Sequence, residues 1–159
     1  MKTVSRAIRL FTLLGIFMLS NILQAEIENG EYQIVNKSTS RGLAANDHNN
    51  HQLYTWDANG HSDLRWRIVS IGGGWYHLIN KSTGRALTAN DHNNHELYTW
   101  PVNDHSDLQW RIEHVGGGWY HIINKSTGRA LTANDHNNHK LYTWPINDHP
   151  DLQWKFLKM

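Results

Sequence analysis

The chain of 159 residues contains no cysteine, only three prolines and three phenylalanines, and no excess of either charge, with 15 Lys and Arg against 14 Asp and Glu. Without cysteine there is no disulfide framework and no thiolate for metal or nucleophilic chemistry, so the fold must hold by packing alone. Balanced charge removes the basic footprint with which nucleic-acid binders hold phosphates, so no nucleic-acid partner is expected. Apolar residues at helical spacing are missing as well. A single largely apolar stretch, Leu10 to Leu19, stands out, and it is short for a transmembrane helix.

That stretch belongs to a leader. Lys2, Arg6 and Arg9 precede it and the small residue Ala25 closes the segment, the order of a secretory signal peptide with cleavage expected after Ala25. A retained N-terminal anchor is the alternative. Removing residues 1–25 takes away three positive charges and turns the formal net charge from +1 to about −2. Residues 26–159 then amount to one domain with a real core. The expected location is extracellular, or periplasmic in a Gram-negative source. In a eukaryotic source, Asn36, Asn80 and Asn124, each followed by Lys-Ser, would be glycosylation acceptors.

What the chain does have is eight tryptophans, twelve histidines and a repeat. The stretch from Asn80 to Trp100 returns almost unchanged from Asn124 to Trp144 and more loosely from Asn36 to Trp56, a period of 44 that divides the chain into copies at 30–73, 74–117 and 118–159. Such a unit cannot bury its apolar face alone, so the copies are expected to build one core together. Each copy reads as four short strands. In the second copy these are Gly74 to Asn80, Arg85 to Ala89, Glu96 to Trp100 and Leu108 to Ile112, separated by turn-forming Lys81-Ser-Thr-Gly84, by the polar cluster Asn90 to His95 and by the loop after Pro101.

Alternation along the strands sorts the side chains. Leu108, Trp110 and Ile112 share one face of the fourth strand, which makes Trp110, with Trp66 and Trp154 in the other copies, a core residue. On the third strand, burying Leu97 and Thr99 sends Tyr98 and Trp100 to the opposite face. A Tyr and Trp pair facing outward beside a polar loop, repeated as Tyr54/Trp56 and Tyr142/Trp144, points to three binding surfaces. Three copies of four strands with no helix predict an all-β body with threefold pseudosymmetry, a β-trefoil, with a three-bladed propeller as the alternative.

The closing segments Asp63-Leu-Arg-Trp66, Asp107-Leu-Gln-Trp110 and Asp151-Leu-Gln-Trp154, with the frames Asn-Lys-Ser-Thr-Gly-Arg-Ala-Leu and Leu-Tyr-Thr-Trp-Pro, resemble the ricin-type lectins, whose β-trefoil repeats end in Gln-x-Trp. The resemblance covers all of residues 26–159. It implies glycan partners, with the sugar-stacking aromatic matching Trp56, Trp100 and Trp144 and a polar site residue matching Asp63, Asp107 and Asp151. The chain departs from the family where the second strand usually carries a hydrogen-bonding aspartate and here has Ala44, Thr88 and Thr132. It departs again where the motif glutamine is replaced by Leu64, Leu108 and Leu152. A galactose-type specificity is therefore implied only in part.

Sugar recognition needs an aromatic face for the C–H patch of a pyranose and polar groups aimed at its hydroxyls. Asp91, His92 and Asn94 in the polar loop are candidates for the second role, repeated as Asp47, His48 and Asn50 and as Asp135, His136 and Asn138; the bland reading is that they form turns. His61, His105 and His149 read as surface residues, with Asp104 to Asp107 forming a far wall of the site. Asp91-His92 with His95, repeated in the other copies, raises zinc binding as a competing reading, against which stands the lack of helical spacing to aim two imidazoles at one ion. Twelve histidines also predict a charge that rises below about pH 6. No cofactor motif is present, and repeated equivalent polar groups favour repeated binding over one asymmetric catalytic constellation. Binding to a protein surface is the remaining alternative. Oligomeric state leaves no trace in the sequence.

Overall fold

A computed structural model describes residues 26–46, 53–90, 97–134, 136 and 141–159. The first copy forms β1 (Gly30–Asn36), β2 (Gly42–Ala45), β3 (Leu53–Trp56) and β4 (Arg65–Gly72). The second forms β5 (Trp75–Asn80), β6 (Ala86–Ala89), β7 (Leu97–Trp100) and β8 (Trp110–Gly116), and the third β9 (Trp119–Asn124), β10 (Ala130–Ala133), β11 (Leu141–Trp144) and β12 (Trp154–Lys158). Single 3-10 turns lie at Ser62–Leu64, Ser106–Leu108 and Pro150–Leu152. No helix there is long and apolar enough to cross a membrane.

Six strands close on themselves. β1 pairs with β4, β4 with β5, β5 with β8, β8 with β9, β9 with β12, and β12 returns to β1, all antiparallel. Closure removes the exposed strand edges that an open sheet would carry. The other six form the hairpins β2–β3, β6–β7 and β10–β11, and β3, β7 and β11 touch one another around the pseudo-threefold axis. A six-stranded barrel with three converging hairpins is a β-trefoil. The ring running through all three copies rules out a propeller, whose blades are separate sheets.

The core is tied together by the closing tryptophans. Trp66, Trp110 and Trp154 are completely buried, and each indole Nε1 donates to a hairpin carbonyl, that of Leu43, Leu87 or Leu131, at 2.8, 2.8 and 2.9 Å. One side chain per copy thus fills the barrel and pins its hairpin. The turn asparagines do the same between copies. Asn80 Oδ1 accepts from the backbone N–H of Ser82 and Thr83, while its Nδ2 donates to Asp63 O at 2.7 Å in the preceding copy. Asn124 repeats this on Asp107, and Asn36 closes the circle on Asp151. All three amides are fully buried, so the acceptor role conceivable for Asn36, Asn80 and Asn124 is not available in the folded protein.

The fourth strand differs from its expected form. Instead of running from Leu108, the chain makes the turn Ser106–Leu108 and starts β8 at Trp110. Three residues per turn break the two-residue alternation. Trp110 and Ile112 therefore reach the central core, while Leu108 is buried in a side cluster with Ile79 and Ala86.

Candidate functional site

The third strand of each copy follows its alternation closely. Leu97 and Thr99 are buried, and Trp100 stands out 51% exposed, as do Trp56 at 53% and Trp144 at 50%. The tyrosine beside it behaves differently from the expected outward pair. Tyr98 is half-buried, its hydroxyl accepting from Asn90 Nδ2, and its ring meets Trp100 edge-on with centroids 6.2 Å apart at 87°. Tyr54 and Tyr142 repeat both contacts, with Asn46 and Asn134. A phenol that reaches a neighbouring amide can lie half-covered on that face, since burial is then compatible with its polar tip.

Each tryptophan is also backed by an arginine that the strand pattern did not single out. Arg85 Nε donates to Thr99 Oγ1 at 3.3 Å and Nη2 to Thr99 O at 2.9 Å, which holds its guanidinium 5.8 Å from the Trp100 ring centroid. Arg41 and Arg129 do the same for Trp56 and Trp144. The available signal was the recurrence of Arg before the second strand in every copy. Its effect is to fix the ring as a platform, through stacking and a pre-ordered fork of donors.

Beside Trp100 lies an open cleft of about 270 Å³ lined by Thr88, Tyr98, Trp100, Asn103, His105, Asp107 and Leu108. Two elements build it: the β6–β7 hairpin supplies Thr88 and the aromatics, and the loop before Trp110 supplies the rest. The loop is held by its own polar groups. Asn103 Oδ1 accepts from the His105 N–H at 2.8 Å, Asn103 Nδ2 donates to Pro101 O, and Gln109 Nε2 donates to Asp104 O at 2.9 Å. His105 Nδ1 stands 3.5 Å from Asp107 Oδ2, and His149 Nδ1 stands 3.4 Å from Asp151 Oδ1 in the third copy. Burial, and then the carboxylate of Asp107, push the Tyr98 phenol above its usual range; Tyr142 with Asp151 and Tyr54 with Asp63 show the same two causes. Aromatic, phenol and carboxylate thus face one space, which His105 and Asn103, residues of the far wall, complete.

Thr88 occupies the position where the ricin-type pattern has its aspartate. It is buried, and its hydroxyl donates to Ala86 O at 3.0 Å, as Thr132 does to Ala130 O. Among the described residues the cleft therefore has one carboxylate, from Asp107. Asp47, His48, Asn50, Asp91, His92, Asn94, Asp135 and Asn138 lie outside the described residues, while His136 is exposed. No group of three His, Asp or Glu able to hold a metal ion occurs among the described residues.

Near this loop and its third-copy equivalent lies one buried imidazole each. His77 and His121 are each 5% exposed, with no hydrogen-bond partner for Nε2 among the described residues. Burial pushes both below the usual 6.5, opposed by Asp104 near His77 and by Asp148, Glu113 and a backbone bond at Asn147 near His121. They stand apart from the solvated histidines. The first copy has Gln33 and Gly60 at the equivalent places. Its platform is altered too: Asp57 replaces the proline and pairs with Arg41 Nη1 at 3.0 Å.

The family model of the ricin-type β-trefoil lectin domain-like proteins matches residues 19–103 and 106–159. The chain belongs to this family. No curated protein sequence matches it. Among solved structures, this ricin-type chain resembles the designed threefold-symmetric protein ThreeFoil at a TM-score of 0.74 and 18% identity, over 82% of this chain and all of the other. It resembles SeviL, solved bound to asialo-GM1 saccharide, at a TM-score of 0.67 and 19% identity over 82% of this chain and 98% of the other. It also matches an exo-β-1,3-galactanase from Clostridium thermocellum at a TM-score of 0.74 and 23% identity, over 83% of this chain but only 31% of that larger one. At these identities the likeness is one of fold.

Proposed function

We propose that this ricin-type domain is a secreted lectin that binds glycans at up to three similar sites and catalyses no reaction. The observation that carries the reading is the half-exposed tryptophan fixed by an arginine, written once in each copy and, in the second, placed across a cleft from an aspartate. The indole takes the C–H face of a pyranose, Asp107 accepts from a pair of its hydroxyls, and His105 and Asn103 orient the ring. With Thr88 in place of a second carboxylate, selection rests more on stacking and shape than on a two-carboxylate clamp. Single sites of this kind are weak, and linking them on one surface raises avidity by about 10² to 10⁴.

A glycan array on residues 26–159, repeated with Trp100→Ala and Trp144→Ala, tests this. Loss of glycan signal with the fold intact is expected. Unchanged binding in the double variant would remove the stacking role, and silence of the unaltered protein on every glycan would favour a protein partner. That second reading draws on the exposed Val102 and Ile146, which extend the apolar surface next to Trp100 and Trp144.

A further inference from the structure

The threefold repeat supplies an internal comparison at residues none of which lines the Trp100 cleft. At equivalent positions stand Glu31, Trp75 and Trp119. In the first copy the Glu31 carboxylate is held by Lys81 Nζ at 2.9 Å and by Arg65 Nη1 at 3.4 Å. In the second, Trp75 lies under Arg111 and Lys125, at 5.6 and 5.0 Å from the ring centroid, and Arg111 is neutralised by Glu113 at 2.7 Å. In the third, Trp119 lies under Lys37 at 5.3 Å and Lys155 at 4.6 Å, and Leu157 stands where Glu113 would be. Lys37 Nζ donates only to the neutral Gln153 Oε1 at 2.6 Å, and among the described residues no carboxylate pairs with either ammonium.

From this series we infer that Trp119, Lys37 and Lys155 form a separate site for an anionic saccharide, one bearing sulfate or carboxylate groups. The first copy shows what two cations at this place on the barrel hold, namely a carboxylate supplied by the protein itself. In the third copy Lys37 stands where Lys81 does, Gln153 replaces Arg65 and Lys155 takes the place of Arg67, so two cations are again gathered, but the acid is gone from its own position and from the neighbouring one. Two ammoniums gathered on one ring repel each other, and an anion between them relieves that repulsion while the indole edge offers apolar contact to a sugar. The site requires residues from the first and third copies, so it exists once per chain. It does not depend on the stacking tryptophans of the clefts.

The test is titration of residues 26–159 with a heparin tetrasaccharide, its desulfated counterpart, a hexuronic-acid tetrasaccharide and inorganic sulfate, followed by calorimetry. Binding of the sulfated or the carboxylated tetrasaccharide, weakened at least tenfold in Lys37→Gln/Lys155→Gln, restored in Lys37→Arg/Lys155→Arg and unchanged in Trp144→Ala, is expected; which one binds tells sulfate from carboxylate. Binding should also fall as salt rises, because exposed charges are screened. Equal affinity in the double glutamine variant, or no binding of either charged saccharide to the unaltered protein, overturns the inference. Since Trp144→Ala and the lysine variants act on different sites, failure here leaves the cleft reading untouched, and the converse holds.

Discussion

Individual residues carry unusual responsibility in a fold with no disulfides. Trp110 is completely buried and donates to Leu87 O, so Trp110→Ala empties a large volume and orphans a buried carbonyl. A loss of about 3–5 kcal/mol is expected in urea unfolding; a loss below about 1 kcal/mol would mean that the indole is not what joins barrel and hairpin. A smaller effect of opposite sign belongs to Ser40. It sits at φ 58°, in the left-handed region, where the other copies place Gly84 and Gly128 at 67° and 66°. Ser40→Gly should therefore stabilise the protein by about 0.5–1 kcal/mol, seen as a higher urea midpoint with an unchanged slope. Ser40 shows how copies that look alike in sequence are unequal in strain.

At the scale of the element, the loop before each closing tryptophan lies near a buried side chain that changes between copies. His77 and His121 are held below the ordinary histidine value mainly by burial, so the folded protein binds fewer protons there than the unfolded chain. Their contribution to stability is full above about pH 6.5 and declines as the pH falls below it, toward their lowered folded values. His77→Gln/His121→Gln copies the residue that the first copy already uses at Gln33, and should flatten the fall of melting temperature between pH 7.5 and 5. The same slope in variant and parent would show that other groups set the acid response. The strand pattern itself was readable, because Leu97, Thr99 and Trp100 obey a period of two. The turn at Ser106–Leu108 was not, because three residues per turn scramble that period while leaving Leu108 apolar. The half-burial of Tyr98 also escaped, since it depends on Asn90 arriving opposite its hydroxyl.

For the whole molecule, the repeat decides how binding should scale. If the clefts act together on one surface, Trp144→Ala alone should lower apparent affinity for a densely glycosylated surface by about tenfold or more, while affinity for a single soluble saccharide changes far less. Surface plasmon resonance on sparse and dense glycan coatings measures both; equal losses on the two coatings would mean that the sites act singly.

The threefold repeat, the all-β class, the buried tryptophans and the exposed ones are legible from residue order alone, because each follows from spacing along one strand or from one period along the chain. What meets across copies is set by the closed fold. Asn36 closing the ring on Asp151, Arg85 bracing Trp100, His77 lying near the Asp104 loop, and Lys37 joining Lys155 over Trp119 all depend on strand order and register. Spacing along a strand fixes which way a side chain faces; closure of the barrel fixes what it finds there.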